Sequence, residues 1–351
     1  MKIKKIVLQL FCFFAIYSTS AQTDTIKAKI LDDGSQDAEK FYNSGITDFA
    51  NKNFNDALKN FDSAIVHKPD FEKAYFNRGS TKFEMKAYSD AIADFDKSIS
   101  IMQNPDSYFI RGQSKYALAD KTGAAADYSK AIEIKSDHAQ AYYYRGGIKF
   151  ENADYKGAID DFTQAIRIKP DYAYAYNDRG SAKRQLKDFD GAIADYKKAV
   201  QANPKMEFSY NNLASAERKK GDFKDAISDY SEAIKKKGDY YIAYNNRGSA
   251  KYDDGDYEGA IHDFTKAIEL KSDYAFAFNN RAAAKFKVKD YKGSAEDCTK
   301  AIQLNANYGY SYLNRGIAKE MLRDNAGACS DWEKAVELGI ESAKNYTGDC
   351  K

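Results

Sequence analysis

A phrase of 34 residues recurs along most of this 351-residue chain, and it constrains the fold more than any other feature. The string Asn-Arg-Gly stands at 77–79, 246–248 and 314–316, with the variants Tyr144-Arg145-Gly146 and Asp178-Arg179-Gly180. Aligned on that glycine, the chain divides into nine units: 38–71, 72–104, 105–138, 139–172, 173–206, 207–240, 241–274, 275–308 and 309–342. All have 34 residues except the second, which has 33. Unit position 4 is aromatic in all nine, and position 20 is alanine in eight, Ser294 being the exception. Positions 20, 21, 24, 27 and 28 fall on one face of a helix; in the fourth unit they are Ala158, Ile159, Phe162, Ala165 and Ile166. Each unit therefore reads as a helical hairpin. A single hairpin cannot bury its apolar face, so neighbours must stack.

The unit resembles the tetratricopeptide repeat, on residues that the fourth copy shows in order: Tyr142, Gly146, Tyr155, Ala158, Phe162, Ala165 and Pro170. The resemblance implies an all-α fold, an α-solenoid in which nine helix-turn-helix hairpins form a right-handed superhelix with a concave groove. Three positions depart from the family pattern. Position 7 is Arg in seven units (Arg179 in the fifth), position 11 is Lys in the same seven, and position 23 is Asp in eight. Arg at 7 is expected to pair with Asp at 23 across the hairpin, the alternative being long side chains that reach solvent from a packed stem. Asp154, Asp188, Asp222, Asp256 and Asp290 stand where a short acceptor caps the second helix.

Beyond the repeat pattern itself, the two ends of the chain and its cysteines carry further readings. Residues 1–21, MKIKKIVLQLFCFFAIYSTSA, combine a basic start, an apolar stretch too short to span a bilayer, and small residues before Gln22. That is the layout of a cleaved secretory signal peptide and implies an exported, periplasmic or extracellular protein. Residues 22–37 read as a flexible polar lead. Residues 343–351 read as a C-terminal cap. Cys329 and Cys350 lie about equally far from Gly339, a turn candidate, so they are expected to form a disulfide that clamps this cap. Cys298 replaces an aromatic at position 24 and reads as a buried thiol, and Trp332 at the same position as core.

Charge narrows the function. Lys plus Arg number 54 and Asp plus Glu 52, so no basic field exists for nucleic acid. His67, His138 and His262 lie in different units and read as surface or turn residues, with no metal-ligand spacing. No catalytic motif occurs, and the acids repeat with the frame, so neither an enzyme nor a cofactor is expected. The groove arc of the first helix carries Asn at position 6: Asn43, Asn77, Asn212, Asn246, Asn280 and Asn314. Amides both donate and accept, so such a row suits an extended peptide backbone; the alternative is a neutral surface row. Position 5 adds Asn177, Asn211, Asn245 and Asn279, and position 2 adds the aromatic residues Tyr174, Phe208, Phe276 and Tyr310. The expectation is a non-catalytic scaffold of a bacterial-type cell envelope that binds a protein or extended peptide. The alternatives are an envelope glycan, whose sugar rings stack on aromatic faces, and self-association. No membrane span is expected after residue 21.

Overall fold

The computed structural model describes residues 35–348 and Cys350. The expected signal peptide and residues 22–34 of the polar lead lie outside them. The described residues form eighteen α-helices in nine hairpins: α1 (Ser35–Ala50) with α2 (Phe54–His67), α3 (Glu72–Glu84) with α4 (Tyr88–Ile101), and α5 (Pro105–Ala117) with α6 (Lys121–Ile134). There follow α7 (Ala139–Glu151) with α8 (Tyr155–Ile168), α9 (Ala173–Gln185) with α10 (Phe189–Ala202), and α11 (Glu207–Lys220) with α12 (Phe223–Lys236). The last are α13 (Tyr241–Asp253) with α14 (Tyr257–Leu270), α15 (Ala275–Lys287) with α16 (Tyr291–Leu304), and α17 (Gly309–Met321) with α18 (Asn325–Glu337). Residues 35–37, read as part of a loose lead, instead begin α1. A first turn tolerates polar residues, Asp37 suits the positive end of the helix, and Ala38 is buried at once.

Each hairpin packs on the next, so the chain is an α-solenoid. Neighbouring first helices touch directly along α7, α9, α11, α13, α15 and α17, whereas successive second helices do not approach each other in the same way. The first helices therefore form the inner, shorter side of the stack.

The hairpin turn is the same in every unit. Its residue at position 15 adopts a left-handed conformation, as Lys52, Lys86, Ala119, Ala153, Lys187, Gly221, Gly255, Lys289 and Arg323. Only two of these nine are glycine; the other seven sit where a side chain is disfavoured.

Capping of the second helix depends on one other position. Asp120, Asp154, Asp188, Asp256, Asp290 and Asp324 each accept from the backbone N–H three residues on, which is always a glycine. Asp222, expected to do the same, makes no such bond. Its third residue on is Asp225, and a Cβ there would press on the cap: built on Gly157, it comes 2.2 Å from Asp154 Oδ2. Unit one likewise lacks the side-chain cap at Asn53 and carries Asp56 at that place; unit two has Asp90 there, but its cap residue is Ala87, which offers no acceptor. In these three hairpins an acid within the first turn answers the helix dipole instead.

The core of each hairpin is an aromatic ring laid on a small residue. A Cβ added to Gly146 would meet the Phe162 ring at 2.9 Å. Phe61, Phe95, Tyr128, Tyr196 and Phe264 are equally enclosed in their own units. In the eighth unit the small residue grows to Ala282 and the ring shrinks to Cys298, which is fully buried. Burial pushes that thiol up to about 12, so it stays protonated and inert. Trp332 takes the ring position in the ninth unit and is also core.

The Arg–Asp pairing is present in all seven units that carry both residues. In the fifth, Arg179 donates from Nε to Asp195 Oδ2 at 2.9 Å and from Nη2 to Oδ1 at 2.6 Å. Nη1 reaches back to Thr163 Oγ1 in the preceding unit at 3.1 Å. Lys183 Nζ adds a contact to Asp195 at 2.8 Å, and the guanidinium lies over the Tyr176 ring at 5.5 Å. One arginine thus ties together both helices of its hairpin and the hairpin before it. The aspartate is almost fully buried, so the bidentate geometry is what makes its charge tolerable. At Asp263, burial alone would raise the carboxyl, but hydrogen bonds and charges from Arg247 and Lys251 hold it below its ordinary range.

At the C-terminus, Gly339 turns with φ +83° into a short 3-10 helix, Glu341–Asn345. The cap therefore begins before residue 343, and its helix is a single tight turn. Cys329 and Cys350 are joined by a disulfide, with their Cα atoms 5.5 Å apart. Tyr346 lies against Trp332 at 5.1 Å, covering the face that a tenth hairpin would otherwise meet. His138, read as a surface or turn residue, is a turn residue but is buried. Its Nδ1 accepts from Ala141 N at 3.2 Å, and its Nε2 stands 3.5 Å from Asp106 Oδ1.

Candidate functional site

The inner face is built from positions 2, 5 and 6 of successive first helices. Position 6 of each unit meets position 5 of the unit before it, and the chemistry of the two changes together at every joint. Asn212, Asn246, Asn280 and Asn314 donate through Nδ2 to Oδ1 of Asn177, Asn211, Asn245 and Asn279, at 3.0–3.1 Å. Asn77 donates to the Tyr42 hydroxyl at 3.0 Å. At the next polar joint, the Tyr143 hydroxyl donates to Asp178 Oδ2 at 2.8 Å. Where position 5 is Phe76 or Phe109, position 6 is the apolar Ile110 or the ring of Tyr144, 5.5 Å from Phe109.

The asparagine row is therefore first a ladder between repeats. The position-5 amides are buried and the position-6 amides are half-buried. Ser209 and Ser311 add a second donor to Asn177 and Asn279. Each ladder bond uses one N–H of a position-6 side chain. At Asn212, Asn280 and Asn314 a second N–H and the carbonyl oxygen remain for another molecule, whereas Asn77 spends both of its N–H groups, on Tyr42 and on the Lys73 carbonyl. Asn43 stands apart: it is exposed, and among the described residues no hairpin precedes it. Burial raises the Asp178 carboxyl, against hydrogen bonds from Tyr143 and Asn177 that lower it.

Beside this ladder runs an aromatic strip. Tyr241 meets Tyr274 at 5.1 Å, Tyr274 meets Phe276 at 5.8 Å, Phe276 meets Tyr308 at 4.9 Å, and Tyr308 meets Tyr310 at 6.2 Å. Phe276 is 46 % exposed and Tyr310 53 % exposed. A shorter pair, Tyr174 and Phe208 at 6.2 Å, lies earlier on the same face; Tyr174 is exposed and Phe208 half-buried. Sequence reading named the position-2 rings but missed Tyr241, Tyr274 and Tyr308, which connect them. The signal was present, since Tyr172, Tyr240, Tyr274 and Tyr308 recur at position 34. Further along the inner helices, Tyr116 hydrogen-bonds Glu151 and Arg218 Nε bonds Asp253 at 2.7 Å, linking successive repeats again.

Among the described residues, no group of three or more His, Cys, Asp or Glu is placed to hold a metal ion. Among the same residues, no helix is long and apolar enough to cross a membrane.

Models of the tetratricopeptide repeat match residues 72–104, 111–173, 173–206 and 211–275, together more than half of the chain. A tetratricopeptide repeat protein of Parabacteroides merdae shares 16 % identity, with a TM-score of 0.56 over 69 % of this chain and 97 % of that one. The APC/C hetero-tetramer Cut9–Hcn1 shares 13 %, with a TM-score of 0.55 over 88 % and 75 %. Pseudomonas aeruginosa pilF shares 16 %, with a TM-score of 0.53 over 60 % and 97 %. At these identities the likeness is one of fold. No curated protein matches the chain.

Proposed function

The chain belongs to the tetratricopeptide repeat family, and on that footing we propose that it is a non-catalytic scaffold holding an extended segment of a protein partner against its inner face. The observation that carries this reading is the aromatic strip Tyr241–Tyr274–Phe276–Tyr308–Tyr310 on the seventh to ninth repeats, in which the half-buried Tyr241, Tyr274 and Tyr308 connect the exposed Phe276 and Tyr310. Large exposed rings in one connected run are unusual on a surface with no partner. Rings of this kind serve as anchors at protein interfaces. The half-buried amides of Asn280 and Asn314 lie alongside, with donors and acceptors suited to a peptide backbone. The partner chemistry is thus an extended segment with apolar side chains at intervals, read mainly through its main chain. Residues 1–21 support export, and with it a partner in the cell envelope.

The test is a pair of ring deletions, Phe276→Ala and Tyr310→Ala, in the full chain. Proteins recovered with the tagged wild type from its own cells would be compared with those recovered with the double variant. Loss of a defined partner, with helical content unchanged, supports the reading. Undiminished recovery rejects it, and recovery of the chain alone points to self-association.

A further inference from the structure

The sixth hairpin breaks the charge pattern that seven others keep. Position 7 is Leu213 in place of Arg, position 11 is Glu217 in place of Lys, and position 23 remains an acid, Asp229. Leu213 is 2 % exposed and packs on Ala192, Tyr196 and Ala216, so it fills the guanidinium's place with hydrocarbon. The carboxyls of Glu217 and Asp229 are then left in hydrogen-bond contact with each other. Glu217 is itself 2 % exposed, and its Oε2 is buried with no donor in reach.

The charges around this pair do not balance it. From α10, Lys197 Nζ reaches Glu217 Oε1 at 3.5 Å, from the place where other units carry Ser129 or Thr163. From α12, Asp225 opposes ionisation of both acids, and Glu232 opposes that of Asp229. The remaining neighbouring cations, Arg184 of α9 and Arg218 of α11, bear on the Tyr230 hydroxyl, and Arg218 is already bonded to Asp253 of α13. One ammonium contact, from the exposed Lys197, thus faces two carboxyls. A carboxylate can only accept hydrogen bonds, so two of them in contact need a proton to supply the donor. The first unit answers the same problem differently: it has Asp48 at position 11 and an amide, Asn60, at position 23, which donates to it at 2.7 Å.

We infer that Glu217 and Asp229 hold one proton between them and form a pH-sensitive joint in the middle of the solenoid, tight when that proton is present and loosened when it is lost. The direction of titration agrees. Burial first, then the charge of Asp229, pushes Glu217 up to about 8, and burial also raises Asp229. The unfolded chain releases the same proton near the ordinary glutamate value of about 4.3. The group's contribution is therefore complete below about 4.3, declines as pH rises, and is gone above about 8. Over that interval the opening equilibrium shifts by up to about tenfold per pH unit, one proton being released.

Two measurements test this. The first follows urea midpoints of the full chain from pH 6 to 9 for the wild type, for Glu217→Gln, and for Leu213→Arg with Glu217→Lys, which rebuilds the pattern of the other repeats. The wild-type midpoint is expected to fall up to pH 8 and then level, and both variants are expected to lose that fall. An identical fall in all three overturns the inference. The second follows the Glu217 carboxyl carbon by NMR in the folded wild type, which does not depend on any variant folding. A midpoint near 8 supports the shared proton; one near 4 overturns it.

Discussion

Asn212 donates its side-chain amide to Oδ1 of Asn177, 35 residues earlier, at 3.1 Å, and the bond crosses from one repeat to the next. The same offset links Asn246 to Asn211, Asn280 to Asn245 and Asn314 to Asn279. A residue row that suggests a waiting ligand thus also holds the inner helices together. Asn177→Ala should destabilise the chain by about 2 kcal/mol, because it leaves the half-buried Asn212 and the buried Ser209 without their acceptor. Replacing Asn177 with Phe and Asn212 with Ile together should recover most of that loss, since Phe76 and Ile110 occupy the equivalent positions between the second and third repeats and pack into one apolar cluster. Chemical denaturation of the three proteins checks this; a double variant no better than Asn177→Ala would contradict the ladder.

The Arg–Asp clamp makes a parallel prediction. Arg179→Met alone leaves Asp195 buried with Lys183 as its remaining cation, and should cost about 3 kcal/mol. Adding Asp195→Leu removes the stranded charge and should return the protein to within about 1 kcal/mol of its starting stability. A double-mutant cycle by denaturation gives the coupling directly. Additive losses would show that the two residues act independently.

Much of this architecture was legible in the sequence, and the reason is repetition. Position 7 and position 23 vary together in register, Ser44 with Asn60 in the first unit and Arg with Asp in seven others, so the pairing could be read from the chain. The exception at Leu213 was visible too, but its meaning needed three dimensions. Only the fold brings Glu217 against Asp229 and places Lys197 of the preceding hairpin beside them. The inner face was less legible for the same reason. Positions 5 and 6 are adjacent on one helix, yet they pair with different repeats, and a pattern read within one unit cannot show a bond across 35 residues. The failed cap at Asp222 was readable in retrospect, from Asp225 standing where the capped units carry glycine.

That cap gives a prediction with an internal control. Asp154 accepts from Gly157 N at 3.0 Å, so Asp154→Ala should cost about 1 kcal/mol. Asp222 makes no such bond, so Asp222→Ala should be close to neutral. Equal effects of the two changes, measured by thermal unfolding, would contradict the dependence on position 19.

The disulfide predicts a local effect. Cys329 and Cys350 close a loop of about 20 residues, worth about 3 kcal/mol in the chain-entropy view. Cys350→Ser should increase amide exchange in α18 and the turn Glu341–Asn345, and leave α1 to α12 unchanged, because each repeat contacts only its neighbours. Uniform loosening along the whole chain would contradict the nearest-neighbour picture.

The central claim is that the inner face of the last repeats holds another protein. A photo-crosslinking residue placed at Phe276, in cells that make the full chain, tests it most directly, with the same residue at Lys266 on the second helix α14 as the control. The account predicts one defined partner protein captured from Phe276 and none from Lys266. Capture of the same proteins from both positions, or of the chain itself alone, would contradict it.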